Sequence, residues 1–143
     1  MFDEEIVSAC TALSIAYARH VDFQNYDAFV ELFTEDGCLD VGVPIRGKET
    51  LRKAMTRRPD ELRSRHVLTN IFIDVLGEKE ATGITYLTLY RHVGPESLED
   101  APIDFRHPAA VGHYEDRFAL TPEGWRIAQR KLHFAFRNSE LSG

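Results

Sequence analysis

The chain has little with which to bind a metal, cross-link itself or enter a membrane. Only 2 of its 143 residues are cysteines, Cys10 and Cys38. They stand far apart and make no CxxC pair, which leaves neither a zinc pattern nor a disulfide framework. Reduced thiols in a cytoplasmic protein are the simpler expectation. No stretch approaches the ~18 consecutive apolar residues of a membrane-spanning helix. The opening MFDEEIVSAC carries acids where a secretory leader would carry bases, and no apolar run follows it. Bases are the minority overall, 17 Lys and Arg against 23 Asp and Glu, for a net charge of -6. That balance disfavours nucleic acid, whose phosphates need a basic face, and it disfavours an anionic membrane surface. There is no repeat, no low-complexity tract and no linker.

What is present is an ordinary globular composition, 43% apolar and 28% charged. The length suits one domain, residues 1–143, able to bury roughly two-thirds of its unfolded surface without metal or disulfide. Residues 4–21 read as a helix, with Ile6, Cys10, Leu13, Tyr17 and Val21 on one stripe. Asp3 and Glu4 suit its positive end. After a break at Asp22–Asn25, with Asn25 placed to cap, Tyr26, Phe29, Val30 and Phe33 repeat at i, i+3, i+4 and i+7 as a second helix. Asp36-Gly37 marks a turn, Cys38–Val43 a short strand, and KETLRKAM a third helix after Gly47. TRRPDELRSR reads as a polar loop. Long strands follow at His66–Leu76 and Ala81–Val93, and a loop with three prolines leads to a hairpin of Val111–Leu120 and Trp125–Phe136. Helices first and strands last predict an α+β fold with helices on one face of a curved antiparallel sheet.

Four segments, in this order, resemble the SnoaL-like members of the nuclear-transport-factor-like superfamily: AYARHVDFQNYDAFVELFTEDGCLDV, IRGKETLRKAM, RSRHVLTNIFIDV and GHYEDRFALTPEGWRIAQRKL. The resemblance implies a cone-shaped, cystatin-like α+β barrel wrapped around the N-terminal helices, with one deep pocket. It implies much less about activity, because this fold hosts dehydratases, isomerases, cyclases, hydrolases and inert modules. In scytalone dehydratase and bacterial bile-acid dehydratase, an Asp after the first helix pairs with a His on the first long strand. Asp22 and His66 match those places. Tyr17 matches the tyrosine five residues before that Asp in the bile-acid enzyme, and also the oxyanion-hole tyrosine of ketosteroid isomerase. Two positions depart. Val41 stands where the isomerase has its catalytic Asp. Arg91 stands where scytalone dehydratase has a second histidine, with His92 beside it.

An Asp–His pair can move protons near neutral pH, because the carboxylate fixes the imidazole tautomer and raises its proton affinity. Tyr17 could hydrogen-bond an enolate that forms beside it. Each residue also has a plain reading: Asp22 as a cap, His66 bonded to nearby backbone, Tyr17 as a core aromatic. His20, Asp22 and His66 show no HxH or HExxH spacing, so no metal and no cofactor is expected. His107 and His113 are expected at the surface.

The expected function is a cofactor-independent lyase or isomerase acting on a small hydrophobic, oxygenated molecule. RSRHVLTNI and GHYEDRF…GWRIAQR also resemble the small, structural β subunit of ring-hydroxylating dioxygenases, which gives a non-catalytic alternative. The pocket is expected to be lined by Tyr17, Val21 and Phe33 from the helices, and by His66, Leu68, Leu89, Arg91, Tyr114 and Phe118 from the sheet. The other sheet face should carry Val67, Thr69, Ile71, Ile73 and Val75, joined by Tyr86, Thr88, Tyr90, Leu132, Phe134 and Phe136. So large an apolar face predicts a homodimer, or a higher homo-oligomer, formed sheet to sheet.

Overall fold

The computed structural model describes residues 2–105 and 107–139. Its elements are α1 (Asp3–Asp22), α2 (Tyr26–Val30), β1 (Phe33–Asp40), β2 (Pro44–Arg46), α3 (Lys48–Thr56), β3 (Leu62–Val75), β4 (Glu80–Val93), a 3₁₀ turn (Pro95–Leu98), β5 (Ala110–Thr121) and β6 (Gly124–Arg137). The strands form one curved, unclosed sheet of six in the order β2-β1-β6-β5-β4-β3. Every neighbouring pair is antiparallel except β1 with β6, which runs parallel. No helix among the described residues is long and apolar enough to cross a membrane.

α1 forms where its stripe predicts. Ile6, Cys10, Leu13, Tyr17 and Val21 are all buried, and Asp3, Glu4 and Glu5 occupy its first turn, where the helix dipole favours acids. The helix lies across β3 and also touches β6 and β4, so its stripe closes one side of the sheet. α2 is shorter than its sequence pattern. Phe29 and Val30 are buried on it, but Phe33 opens β1 and pairs with Ile127 of β6. Helix and strand would both bury Phe33, so burial alone could not choose between them; pairing with β6 decides. Asn25 precedes α2 without making a side-chain cap bond.

β3 begins at Leu62, four residues before the expected start at His66. Buried Leu62 and Ser64 alternate with the more exposed Arg63 and Arg65, and this stretch pairs with 90–93 of β4. A bulge then interrupts the strand. Thr69 faces Tyr86 and Phe72 faces Ile84, so Asn70 and Ile71 together oppose one residue. Asn70 takes φ 52, a left-handed conformation that asparagine tolerates. The bulge reverses the strand's facing. His66 and Leu68 point inward before it; Ile71, Ile73 and Val75 point inward after it, each partly buried. The outer face therefore carries Val67, Thr69 and Phe72, and the expected outer stripe of Ile71, Ile73 and Val75 is corrected. β6 behaves similarly, with an irregularity between its pairings to Val111 and Gly112. Leu132 and Phe134 line the interior rather than the outer face, and Phe136 stays outside, 73% exposed. Gly112 permits that geometry, because a Cβ there would collide with the His133 carbonyl.

The core packs α1, α2 and α3 into the sheet through Ile6, Cys10, Phe29, Phe33, Leu51, Phe118 and Ile127. Burial first, and the charge of Asp116 second, push the Cys10 thiol up to about 12. At pH 8 Cys10 should therefore resist iodoacetamide in the native protein and react only on unfolding. Peptide mass spectrometry checks this, and stoichiometric native alkylation at Cys10 would contradict the packing.

Candidate active site

α1 ends at Asp22 against the start of β3, and this junction assembles the site. The Asp22 carboxylate accepts from Ser64 Oγ at 2.9 Å, from the His66 backbone N–H at 2.8 Å and from His66 Nδ1 at 2.6 Å. Three donors on one carboxylate fix its rotamer, and the third fixes the imidazole. Against a carboxylate, Nδ1 is the ring nitrogen that donates, which leaves Nε2 as the ring nitrogen not engaged by Asp22. Both side chains are largely enclosed, His66 10% and Asp22 7% exposed. Ser64 and His66 share the inner face because they stand two apart on one strand.

A cavity of about 540 Å³ opens in front of the dyad. Of the residues expected to line it, Tyr17, Val21, His66, Leu89, Arg91 and Tyr114 do so. Phe33, Leu68 and Phe118 do not. Phe33 stacks against Tyr17 and Phe29, with ring centroids 6.4 and 5.6 Å away, and is buried in the core. Leu68 packs on the core cluster, and Phe118 is buried where β5 meets Ala81 of β4 and Ile127 of β6. The physical reason is the taper of the cone. Side chains of α1 fill its narrow end, so only the half of each strand nearest Asp22 faces open space. The wide end takes lining that the sequence reading did not name, including Met55 and Arg58 from α3 and the residues just after it, and Leu132 and Phe134 from β6. Ser64 was missed because its stretch looked like a loop; the alternation Leu62-Arg63-Ser64-Arg65 was the available signal.

Beneath Tyr17 lies a buried polar network. Arg130 is fully buried and grips Asp116 through Nε at 2.7 Å and Nη2 at 2.9 Å, and Nη2 also donates to Ser14 Oγ at 2.7 Å. The Arg130 guanidinium lies 4.4 Å from the Tyr17 ring centre and 4.3 Å from that of Tyr114. The Tyr17 and Tyr114 rings meet edge to face, with centroids 5.5 Å apart. Burial holds the Tyr17 hydroxyl above its ordinary range, and Arg130 and a hydrogen bond with Tyr114 pull it partly back. Burial and the neighbouring Tyr17 hold Tyr114 well above its range. Tyr17 therefore stays protonated, with its ring centre 6.3 Å from that of His66.

A different place collects metal-type ligands. His113, Glu115 and His133 lie on β5 and β6 with one ligand atom each inside 4.8 Å, on the sheet face away from the cavity. Glu115 Oε2 stands 3.2 Å from His113 Nε2 and 2.6 Å from His133 Nε2, and the two rings stack 5.0 Å apart. His113 is thus half-buried rather than free at the surface.

Residues 5–131 match the model of the SnoaL-like domain. The chain belongs to the SnoaL-like family. No curated protein matches it in sequence. Among solved structures, three from Novosphingobium aromaticivorans place this SnoaL-like chain in its fold. A candidate scytalone dehydratase is 20% identical, with a TM-score of 0.78 over 96% of this chain and 91% of its own. A candidate aromatic ring hydroxylase is 24% identical, with a TM-score of 0.75 over 95% and 93%. A nuclear-transport-factor-like protein with a cystatin-like fold is 19% identical, with a TM-score of 0.74 over 94% and 84%. The SnoaL-like chain accordingly has the cystatin-like α+β cone that its sequence implied.

Proposed function

We propose that this SnoaL-like protein is a cofactor-independent lyase or isomerase acting on a small hydrophobic, oxygenated molecule. The observation that carries the reading is the Asp22–His66 pair at the cavity wall, held by three hydrogen bonds. In a dehydration, His66 Nε2 takes a proton from the carbon next to a carbonyl. Tyr17 donates to the developing enolate oxygen. The imidazolium then returns the proton to the β-hydroxyl, which leaves as water as the enolate collapses to the alkene. Isomerisation uses the same first step and returns the proton to another carbon. A carboxylate with three dedicated donors is more than a structural cap needs, which favours this reading over a purely structural module. The likeness to a candidate aromatic ring hydroxylase supports the second reading, a non-catalytic subunit-like module. Incubation in D₂O with a panel of aromatic and alicyclic β-hydroxy carbonyl compounds separates them by mass spectrometry. A catalyst incorporates deuterium at the α carbon or releases water; a module does neither for any compound.

The outer sheet face supports a homodimer. Val67, Phe72, Ile84, Tyr86 and Phe136 are each at least 44% exposed on it. Glu115 pairs across strands with Lys131, and Asp74 and Arg117 flank Thr82 in register, so both charge signs lie on the same face. A two-fold contact needs such self-complementarity. The interface should bury at least ~1,000 Å² in total. Tyr86→Asp or Phe72→Asp should yield folded monomers by light scattering, since each places an unpaired charge in the contact. A monomeric unmodified protein at micromolar concentration would refute the pairing.

A further inference from the structure

The histidine cluster on the outer sheet face has the chemistry of a metal site. His113 and Glu115 stand two apart on β5, so both project from one face, and His133 is the cross-strand partner of His113 on β6. Two paired strands therefore hold all three side chains at their roots. Glu115 has Lys131 directly across from it, yet its Oε2 meets the two imidazoles, 3.2 Å from His113 Nε2 and 2.6 Å from His133 Nε2. Gly112 helps to build this arrangement, because only a residue without a Cβ lets β5 come so close to the His133 carbonyl. A plain ion pair accounts for the cluster less well. It would use one protonated imidazole, and a second charged ring stacked 5.0 Å from the first would repel it.

One divalent ion satisfies all three groups together. Zinc takes imidazole nitrogen and carboxylate oxygen at about 2.0–2.2 Å, which sets tetrahedral ligand atoms roughly 3.4 Å apart. The three ligand atoms already lie within 4.8 Å of one another. An ion need only displace the protons between them and shift the side chains by roughly 1–1.5 Å to reach that spacing. Two nitrogens and one oxygen select a transition metal, whereas calcium and magnesium take shells of oxygen. We propose that His113, Glu115 and His133 bind one divalent transition-metal ion of the zinc class, through both Nε2 atoms and a Glu115 carboxylate oxygen. The side chains are 35%, 52% and 38% exposed, which leaves the ion a way in. A hollow of about 620 Å³ lies beside them, walled by Glu115, His133, Phe72, Ile84 and Lys131, and gives water room at the remaining coordination position. The site lies across the sheet from the Asp22–His66 dyad and needs only one chain, so it stands independently of the acid–base reading and of the pairing of copies.

Isothermal titration of untagged, EDTA-dialysed protein with zinc chloride tests the inference. Zinc should bind saturably, with a Kd of about 10 µM or tighter, and release protons as it does so. Loss of a mere outer-shell partner costs a metal site about 10- to 100-fold, so His113→Gln, His133→Gln and Glu115→Gln should each weaken binding at least about tenfold. His113→Gln with His133→Gln should abolish it, while circular dichroism shows the fold intact. A separate His–Glu contact serves as the control. His92 Nε2 lies 3.2 Å from Glu96 Oε2, and His92→Gln should leave zinc affinity within about twofold, as expected of an independent site. Cobalt(II) in place of zinc should give visible d–d absorption that disappears in the double variant. A Kd weaker than about 10 µM in the unmodified protein, or zinc binding undiminished in the double variant, overturns the proposal.

Discussion

His66→Gln should lower turnover by about 10²- to 10⁴-fold on any substrate that the D₂O panel identifies, the usual contribution of a positioned general base. The fold should survive, because Asp22 keeps Ser64 Oγ and the backbone N–H of residue 66 as donors. Asp22→Asn should cost a similar factor by a different route. An amide offers one acceptor oxygen where the carboxylate offers two, and it presents its own N–H groups to the donors around it. The imidazole then loses the partner that fixes its tautomer and orientation. KM should move less than kcat in both variants, since the other cavity walls are unchanged. Steady-state kinetics with circular dichroism as the folding control decide the matter. Turnover within about threefold of the unmodified protein in His66→Gln would remove the dyad from the mechanism.

Arg130→Met should destabilise the protein by about 3–5 kcal/mol, the range for removing one partner of a buried ion pair. Asp116 would be left charged and 3% exposed, with nothing to replace the Nε and Nη2 bonds, and Ser14 Oγ would lose its donor as well. The expected fall in Tm is roughly 10–15 °C for a domain of this size. Arg130→Met combined with Asp116→Leu should recover much of the loss, because an apolar pair of similar volume has no uncompensated charge. Urea unfolding of the two variants measures both effects. A single variant within about 1 kcal/mol of the unmodified protein would mean that water reaches Asp116, contrary to the burial described here. The network also reaches the site: the Arg130 guanidinium lies over both the Tyr17 and Tyr114 rings, so its loss should disturb the Tyr17 side chain.

By itself the sequence determined α1, the body of the long strands, and the pair. The α1 stripe is a helical repeat of apolar residues, a local property, and all five of its members are buried. The strands from 66 onward carry alternation and β-branched residues, again local signals, and they form. Asp22 and His66 are legible because they occupy matching places in a family pattern, although 44 residues separate them along the chain. What the sequence left open depends on pairing across strands. The bulge at Asn70 turns Ile71, Ile73 and Val75 inward, and nothing in a strict period of two announces it. Phe33 is apolar in a helical register and lies in a strand, because β6 supplies its partner. The cavity ends where α1 fills the cone, so Leu68 and Phe118, correctly placed on inner faces, meet side chains instead of open space. Ser64, Arg58 and Arg130 acquire their roles only from neighbours far along the chain: Asp22, Tyr26 and Asp116. Local periodicity reports which face of an element is apolar; only the tertiary packing decides what that face meets.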